Sequence, residues 1–336
     1  MNVLVIKPDH LGDFALALPS LWEVKRLVGV DGRLDVVAGR ANCEWSKILG
    51  WLPNIFPMDH PRYFRPRRRF APVEIARAFR LGLVLRKNRY DYAVELTSTV
   101  NDWLGKFVFI VAGAKARSGA RGAYDFLLHE AHAVDLGHQT EILAQRFPRG
   151  WGIFGKADPQ EFMPSRLRWS HASRHDVILL SPYAGTSAKE WPLSCWKELM
   201  GKLEGHPLRI LVPSGRKSDA LVLCEGRDEL LVYTNSISET LEYLCEARFV
   251  VATDSATAHF CWLTGTPLIQ IFSGTTEPDR WASLAKGARL DSFPSCHPCH
   301  LEVCNQFQHD CMSGIDVESV ARCICDNGFL GSSRSA

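Results

Sequence analysis

Short apolar runs recur along the chain, with helical patterns between most of them. Runs at Val3–Ile6, Leu34–Ala38, Tyr92–Leu96, Val177–Leu180, Arg209–Val212, Leu230–Tyr233, Phe249–Ala252 and Pro267–Phe272 have the length and apolar content of strands buried on both faces. Strands alternating with helices predict an α/β protein built on doubly wound parallel sheets. The polar stretch from Gly155 to His175 separates the runs into two groups. The expected domains are residues 1–165 and 166–336, two Rossmann-like units facing each other across a cleft. Ligands of open α/β sheets bind beyond the carboxyl ends of the strands, which would gather Asp13, Lys189 and Asp254 around that cleft.

At 336 residues the chain has about twice the length of a typical domain, which agrees with two cores. A hydrophobic share of 46% and a charged share of 23% are those of an ordinary globular protein. The net charge of +2 selects no class of partner. No apolar run approaches the ~20 residues of a membrane span, and Lys7-Pro8-Asp9-His10 interrupts the start where a signal peptide needs an unbroken apolar stretch. The expected location is cytoplasmic.

Three strand ends carry candidate chemistry. Phe249–Ala252 leads into Thr253-Asp254-Ser255-Ala256-Thr257-Ala258-His259, where Ser255 is a good N-cap and the opening helix offers free N–H groups to an anion. Val177–Leu180 leads into Ser181-Pro-Tyr-Ala-Gly185-Thr186-Ser187-Ala-Lys189, which combines close-approaching backbone, hydroxyl donors and a mobile positive charge. Val3–Ile6 leads into a Gly-containing turn with Asp9, Gly12 and Asp13, ahead of a helix starting at Phe14–Leu18. Taken singly, Asp254 and Ser255 cap a helix, His259 is a helix histidine, Lys189 is a surface lysine and Asp13 caps a helix.

Taken together, Leu11-Gly12-Asp13 with Pro19, Gly185 with Lys189-x-Trp191-Pro192 and Trp196, Asp254-x-x-x-x-His259 and Phe272-x-x-Thr275 resemble the family nine glycosyltransferases, which include the lipopolysaccharide heptosyltransferases. The likeness runs through nearly the whole chain in order. Departures occur at Ser181-Pro182-Tyr183, where the family usually has His-Pro-Gly, at Ala256 for Gly, and at Phe272-Ser273-Gly274 for Phe-Gly-Pro. The resemblance implies the GT-B fold and an inverting glycosyltransferase that moves a sugar from a nucleotide-diphosphate donor, such as ADP-heptose, to a glycan, lipid-linked or protein hydroxyl. Displacement at an anomeric carbon needs a base and a site for the departing diphosphate, and no organic cofactor. Asp13 is the expected base. Gly12, Thr186, Ser187, Lys189, Asp254, Ser255, Ala256, His259 and Thr275 are the expected substrate-binding residues, with Phe272 closing the pocket. A nucleotide-sugar epimerase and a non-catalytic metal-finger protein that keeps the sugar-nucleotide cleft are the competing readings.

Two further features stand apart. Arg62, Arg65, Arg67, Arg68 and Arg69, interleaved with Tyr63 and Phe64, are followed by Arg77, Arg80, Arg86, Lys87 and Arg89. No nucleic-acid module accompanies them, so the expected partners are phosphates of a lipid-linked acceptor or an anionic membrane, with a peripheral position at the inner face of the inner membrane. The chain also has eleven cysteines, of which Cys296, Cys299, Cys304 and Cys311 lie in one Pro- and His-containing segment. Four thiolates at that spacing suit structural zinc or iron in a reducing compartment, and in some protein-directed heptosyltransferases such a segment binds iron. Cys323 and Cys325 are candidates to extend the set, while Cys43, Cys195, Cys224, Cys245 and Cys261 are expected to be buried thiols.

Overall fold

A computed structural model of the chain describes residues 1–58, 72–97, 103–122, 124–133, 137–170, 176–306 and 309–329. It divides into two units, Met1–Phe162 and Met163–Ala336.

The first unit holds strands β1 (Asn2–Lys7), β2 (Arg33–Ala38), β3 (Ile55–Pro57), β4 (Tyr92–Glu95), β5 (Ala116–Ala120) and β6 (Glu130–His132). They form one parallel sheet in the order β3-β2-β1-β4-β5-β6. Its helices are α1 (Leu11–Ala15), α2 (Leu18–Val28), α3 (Trp45–Ile48), α4 (Pro72–Arg86), α5 (Trp103–Ala112), α6 (Gln139–Ala144) and α7 (Pro159–Phe162). Val3, Leu4, Val5 and Ile6 of β1 are all fully buried, as the centre of a sheet covered on both faces requires.

The second unit repeats the plan with β7 (Ile178–Ser181), β8 (Leu208–Pro213), β9 (Leu231–Thr234), β10 (Phe249–Thr253), β11 (Leu268–Phe272) and β12 (Gly287–Asp291), parallel and ordered β12-β11-β10-β7-β8-β9. Its helices are α8 (Leu193–Lys202), α9 (Lys217–Cys224), α10 (Ile237–Glu246), α11 (Ala256–Thr264), α12 (Pro278–Trp281), α13 (Asp310–Ser313) and α14 (Val317–Asp326). Both sheets therefore carry the doubly wound order 3-2-1-4-5-6 when each is counted from its own first strand, and the strand order reverses between the first and fourth strands. Among the described residues no helix is long and apolar enough to cross a membrane.

The eight apolar runs all appear as strands, within a residue or two of the expected bounds. Four more strands, β3, β5, β6 and β12, are short or lie toward the sheet edges, and their sequences (IFP, ARSGA, EAH, GARLD) lack a continuous apolar run. The polar stretch from Gly155 begins as part of the first unit. The Glu23 carboxylate accepts backbone N–H groups from Phe154, Gly155, Lys156 and Ala157 at 2.7–3.2 Å, fastening that stretch to α2.

Trp191 and Trp196, which belong to the Lys189-x-Trp191-Pro192 signature, are fully buried and meet edge to face at 5.2 Å. Trp191 Nε1 donates to the Ile315 carbonyl at 2.9 Å. These two positions of the signature hold the core beneath the loop and tie it to the chain near α13.

Candidate functional site

In the second unit the strand order reverses between β7 and β10, and the two segments picked out from the sequence follow those two strands. A crevice opens at such a point because the connections leave toward opposite faces. After β7 the chain passes Pro182–Thr186 and makes a single 3₁₀ turn over Ser187–Lys189. Lys189 Nζ lies 3.0 Å from Asp254 Oδ2, with the lysine side chain 29% exposed and the carboxylate 3%. Thus two expected binding residues, 65 positions apart in sequence, are in contact.

Asp254 is held from a third strand end. Ser273, just beyond β11 and fully buried, donates from Oγ to Asp254 Oδ2 at 3.0 Å, and its hydroxyl lies 2.8 Å from that of Thr275. Ser273 was not among the expected site residues. Its signal was a hydroxyl on the strand end two positions before Thr275, at a place where the resembling family has glycine. On the β7 side, Ser181 Oγ donates to Thr257 Oγ1 at 3.1 Å, joining the end of β7 to the first turn of α11.

Ser255 occupies the N-cap of α11 with extended backbone, but its side chain makes no capping hydrogen bond. The expected cap is therefore present in position and absent as a bond. The buried Oγ of Ser255, with Thr186 Oγ1 and Thr276 Oγ1, has no hydrogen-bond partner among the described residues. Buried hydroxyls normally find partners; Ser255 stands at the N-cap of α11 and Thr186 three residues before Lys189, so both strand ends carry hydroxyl donors of the kind that bind anionic oxygens. Ala256 opens α11, and His259 lies one turn further along it, buried. Gly185 is exposed, and a Cβ built on it would meet nothing within 4 Å.

The loop is braced from outside. Ala184 N–H donates to Glu190 Oε1 at 3.0 Å, and Glu190 Oε2 pairs with Arg216 at 2.7 Å. The Arg216 guanidinium lies over the Tyr183 ring, 4.8 Å from its centre. Burial raises the Tyr183 phenol well above its usual range, so it stays neutral.

Gly12 and Asp13 belong to the first unit and are half-buried. The helix expected to start at Phe14–Leu18 starts at Leu11, so Asp13 sits inside the first turn of α1, whose N-cap is His10. Asp13 is accordingly not the cap. A carboxylate there meets the positive end of the short helix.

Cys296, Cys299, Cys304 and Cys311 line one small cavity of about 10 Å³, together with His309, Asp310, Thr275 and Ala188. Burial pushes the Cys311 thiol up, and Cys304, Cys299 and Cys296 push it the same way, while the Gly274 N–H opposes them. Among the described residues no three His, Cys, Asp or Glu side chains stand in the arrangement of a metal's ligand shell. Cys323 and Cys325 lie on α14 and do not line the cavity. Of the remaining thiols, Cys224, Cys245 and Cys261 are buried as expected, whereas Cys43 and Cys195 are half-buried. Arg62 to Arg69 lie outside the described residues; Arg77, Arg80 and Arg86 are exposed on α4.

Comparison with known proteins gives a consistent set of likenesses. The family model described as glycosyltransferase family 9 (heptosyltransferase) matches residues 78–306. Lipopolysaccharide heptosyltransferase 1 of Salmonella typhimurium is 24% identical over 323 residues, covering 91% of this chain and 99% of that protein. Among solved structures, E. coli heptosyltransferase WaaC with ADP superposes with a TM-score of 0.72 at 18% identity, covering 97% of this chain and 100% of that one. The iron-containing dodecameric glycosyltransferase TibC from enterotoxigenic E. coli H10407 reaches a TM-score of 0.57 at 15% identity, over 96% of this chain and 75% of that one. The two parallel sheets are those of the GT-B fold that these heptosyltransferases share.

Proposed function

The chain belongs to glycosyltransferase family 9, and from that premise we propose that it transfers a heptose-like sugar from ADP-heptose to a hydroxyl acceptor with inversion, in assembly of lipopolysaccharide core or a related glycan. The observation that carries the reading is the Lys189–Asp254 pair at the reversal point of the second sheet, with Thr186 three residues before the lysine and Ser255 next to the aspartate carrying hydroxyls that make no hydrogen bond among the described residues. The ADP complex of the WaaC relative and the heptosyltransferase 1 likeness support the choice of donor and product.

In this mechanism the acceptor oxygen attacks the anomeric carbon and gives its proton to Asp13. The bond from that carbon to the diphosphate oxygen breaks, and the electron pair leaves with the diphosphate. Lys189, Thr186, Ser187 and the first turn of α11 at Ser255 and Ala256 stabilise the charge that develops there. Lys189 must turn from Asp254 toward the phosphates. A carboxylate repels phosphate, so Asp254, with His259, receives sugar hydroxyls instead, held in place by Ser273 and Thr275. Gly12 allows the acceptor to approach Asp13.

Incubation with ADP-heptose tests the reading directly. ADP release that requires a glycan, lipid-linked or protein acceptor supports transfer. Release of ADP without acceptor points to an epimerase-like or hydrolytic reaction, and absence of release in every mixture removes the catalytic reading.

The cysteine set fits a structural zinc or iron ion in donor chemistry and in number, and its cavity has room for about one atom. Cys296, Cys299, Cys304 and Cys311 would supply the ligands, drawn together on binding. The metal would crosslink the segment and take no part in the reaction. Near-stoichiometric zinc or iron in protein purified without chelator supports this; metal-free protein with four titratable thiols in a stable fold refutes it.

Helix α4 supports a membrane-proximal, cytoplasmic position at the inner face of the inner membrane. Only Ala78, Gly82 and Leu85 are buried along its described length, while Val73, Phe79, Leu83 and Val84 are exposed beside Arg77, Arg80 and Arg86. Exposed apolar and cationic side chains on one helix suit an anionic lipid surface or a phosphorylated lipid-linked acceptor.

A further inference from the structure

We infer that His309 is a positioning residue for the loop carrying Ser187 and Lys189, and that through it the cysteine-rich segment sets the geometry of the donor site. The inference rests on the reading of that loop as a diphosphate site and adds a residue and a mechanical connection that the reading does not contain.

His309 Nε2 lies 3.0 Å from the Ala188 carbonyl oxygen. A carbonyl only accepts, so Nε2 carries the hydrogen in this contact. The Ala188 N–H in turn donates to the Glu302 carbonyl at 3.1 Å. Both polar backbone groups of the residue between Ser187 and Lys189 are thus held by the cysteine-rich segment. A 3₁₀ turn of three residues has little stability of its own. Its orientation, and with it the direction of the Lys189 side chain, is set by what it is bonded to.

The same segment grips the other half of the site. Cys299 N–H donates to the Gly274 carbonyl at 3.3 Å, and His300 N–H to the Thr275 carbonyl at 2.9 Å. His297 Nδ1 lies 3.1 Å from the Gly274 carbonyl. A Cβ on Gly274 would stand 2.8 Å from Cys311 Cβ, so glycine is what lets Cys311 pack there. Gly274 follows Ser273, which holds Asp254. Ala188, next to Lys189, and Gly274, next to the Ser273 that bonds Asp254, are therefore each fastened to one short stretch of chain whose cysteines face a common cavity. A change in that stretch moves both partners of the ion pair.

The test is ADP binding by calorimetry to the full-length wild-type protein, His309→Ala and His309→Gln, with thermal unfolding followed in parallel. His309 has a left-handed backbone, φ 51°, and both replacements carry a Cβ, so they bear similar backbone strain. They differ in whether a side-chain N–H can reach Ala188. His309→Ala should bind ADP roughly threefold to tenfold more weakly, the effect of one neutral hydrogen bond, and His309→Gln should recover most of that loss. In turnover, KM for the donor should rise more than kcat falls. ADP affinity in His309→Ala equal to wild type, or equal losses in both variants, would overturn the inference.

Hydrogen exchange of the wild-type protein decides independently of any variant that fails to fold. The amides of Ala188, Cys299 and His300 should open as one unit, and independent opening would overturn the connection. A wild-type protein that binds no ADP removes the diphosphate reading, while the exchange result still decides whether segment and loop move together.

Discussion

The two sheets have the same strand order, yet their reversal points are treated in opposite ways. In the first unit two ion pairs there are closed off. Lys7 pairs with Asp9 and Lys106 with Glu95, all four side chains fully buried, and Thr97 donates to Glu95 while Arg146 reaches the Thr97 carbonyl. In the second unit the corresponding pair, Lys189 and Asp254, is open on the lysine side, and the hydroxyls of Thr186 and Ser255, near them in the chain, make no hydrogen bond among the described residues. A buried pair cannot exchange its partner without stranding a charge, whereas a half-exposed lysine can. The same topology thus carries sealed ion pairs in one unit and a partly open one in the other.

The largest expected effect is at Asp13. Asp13→Ala should lower turnover by ~10²–10⁴-fold, the usual worth of a general base, with ADP affinity measured by calorimetry nearly unchanged. Turnover near wild type would remove the distinct role given to the first unit.

Next comes a paired measurement across the two units. Lys106→Ala removes the cation that faces the buried Glu95 carboxylate and should cost about 3–5 kcal/mol of unfolding free energy in a denaturant titration. Lys189→Ala should cost less stability than Lys106→Ala, since Lys189 is partly solvated and Asp254 keeps the Ser273 hydroxyl, and it should weaken ADP about tenfold to hundredfold, because a bond to a charged group is worth ~1.5–3 kcal/mol. If Lys189→Ala destabilises as much as Lys106→Ala, the second pair is structural too.

A smaller effect separates Gly185 from a structural glycine. With open space around its Cβ position, Gly185→Ala should leave the melting temperature unchanged and reduce ADP affinity, since the bound ligand would be what the methyl group meets. Equal affinity would place the diphosphate elsewhere.

The smallest concerns α14, behind the site. Asp316 N-caps it, accepting from Ser319 N–H at 2.7 Å and from the Ser319 hydroxyl at 2.9 Å. These bonds hold the Asp316 carboxyl below its usual range. Its contribution is therefore complete above the ordinary carboxylate pKa and is lost as pH falls through the lower folded value. Asp316→Ala should cost about 1 kcal/mol at neutral pH, and the difference from wild type should vanish in strong acid.

Much of this was legible in residue pattern because buried parallel strands must be apolar on both faces, and all eight such runs became strands. The edge strands β6 and β12 carry half-exposed and exposed positions and left no such mark. Lys189 and Asp254, which the structure brings together, were readable as candidates because each follows a strand end in a polar segment. Ser273 and His309 were not, since a serine or a histidine in a loop acquires meaning only from what lies opposite it.

The sequence by itself determined the fold class, the family and the segments that bear polar chemistry, since these depend on local pattern and on the order of motifs. Tertiary structure alone decided which charges are sealed and which are available. It alone brought Lys189 to Asp254 and fastened the cysteine-rich segment to Ala188, Gly274 and Thr275. Such contacts join residues from 23 to 121 positions apart, and no local pattern encodes a partner that only folding brings within 3 Å.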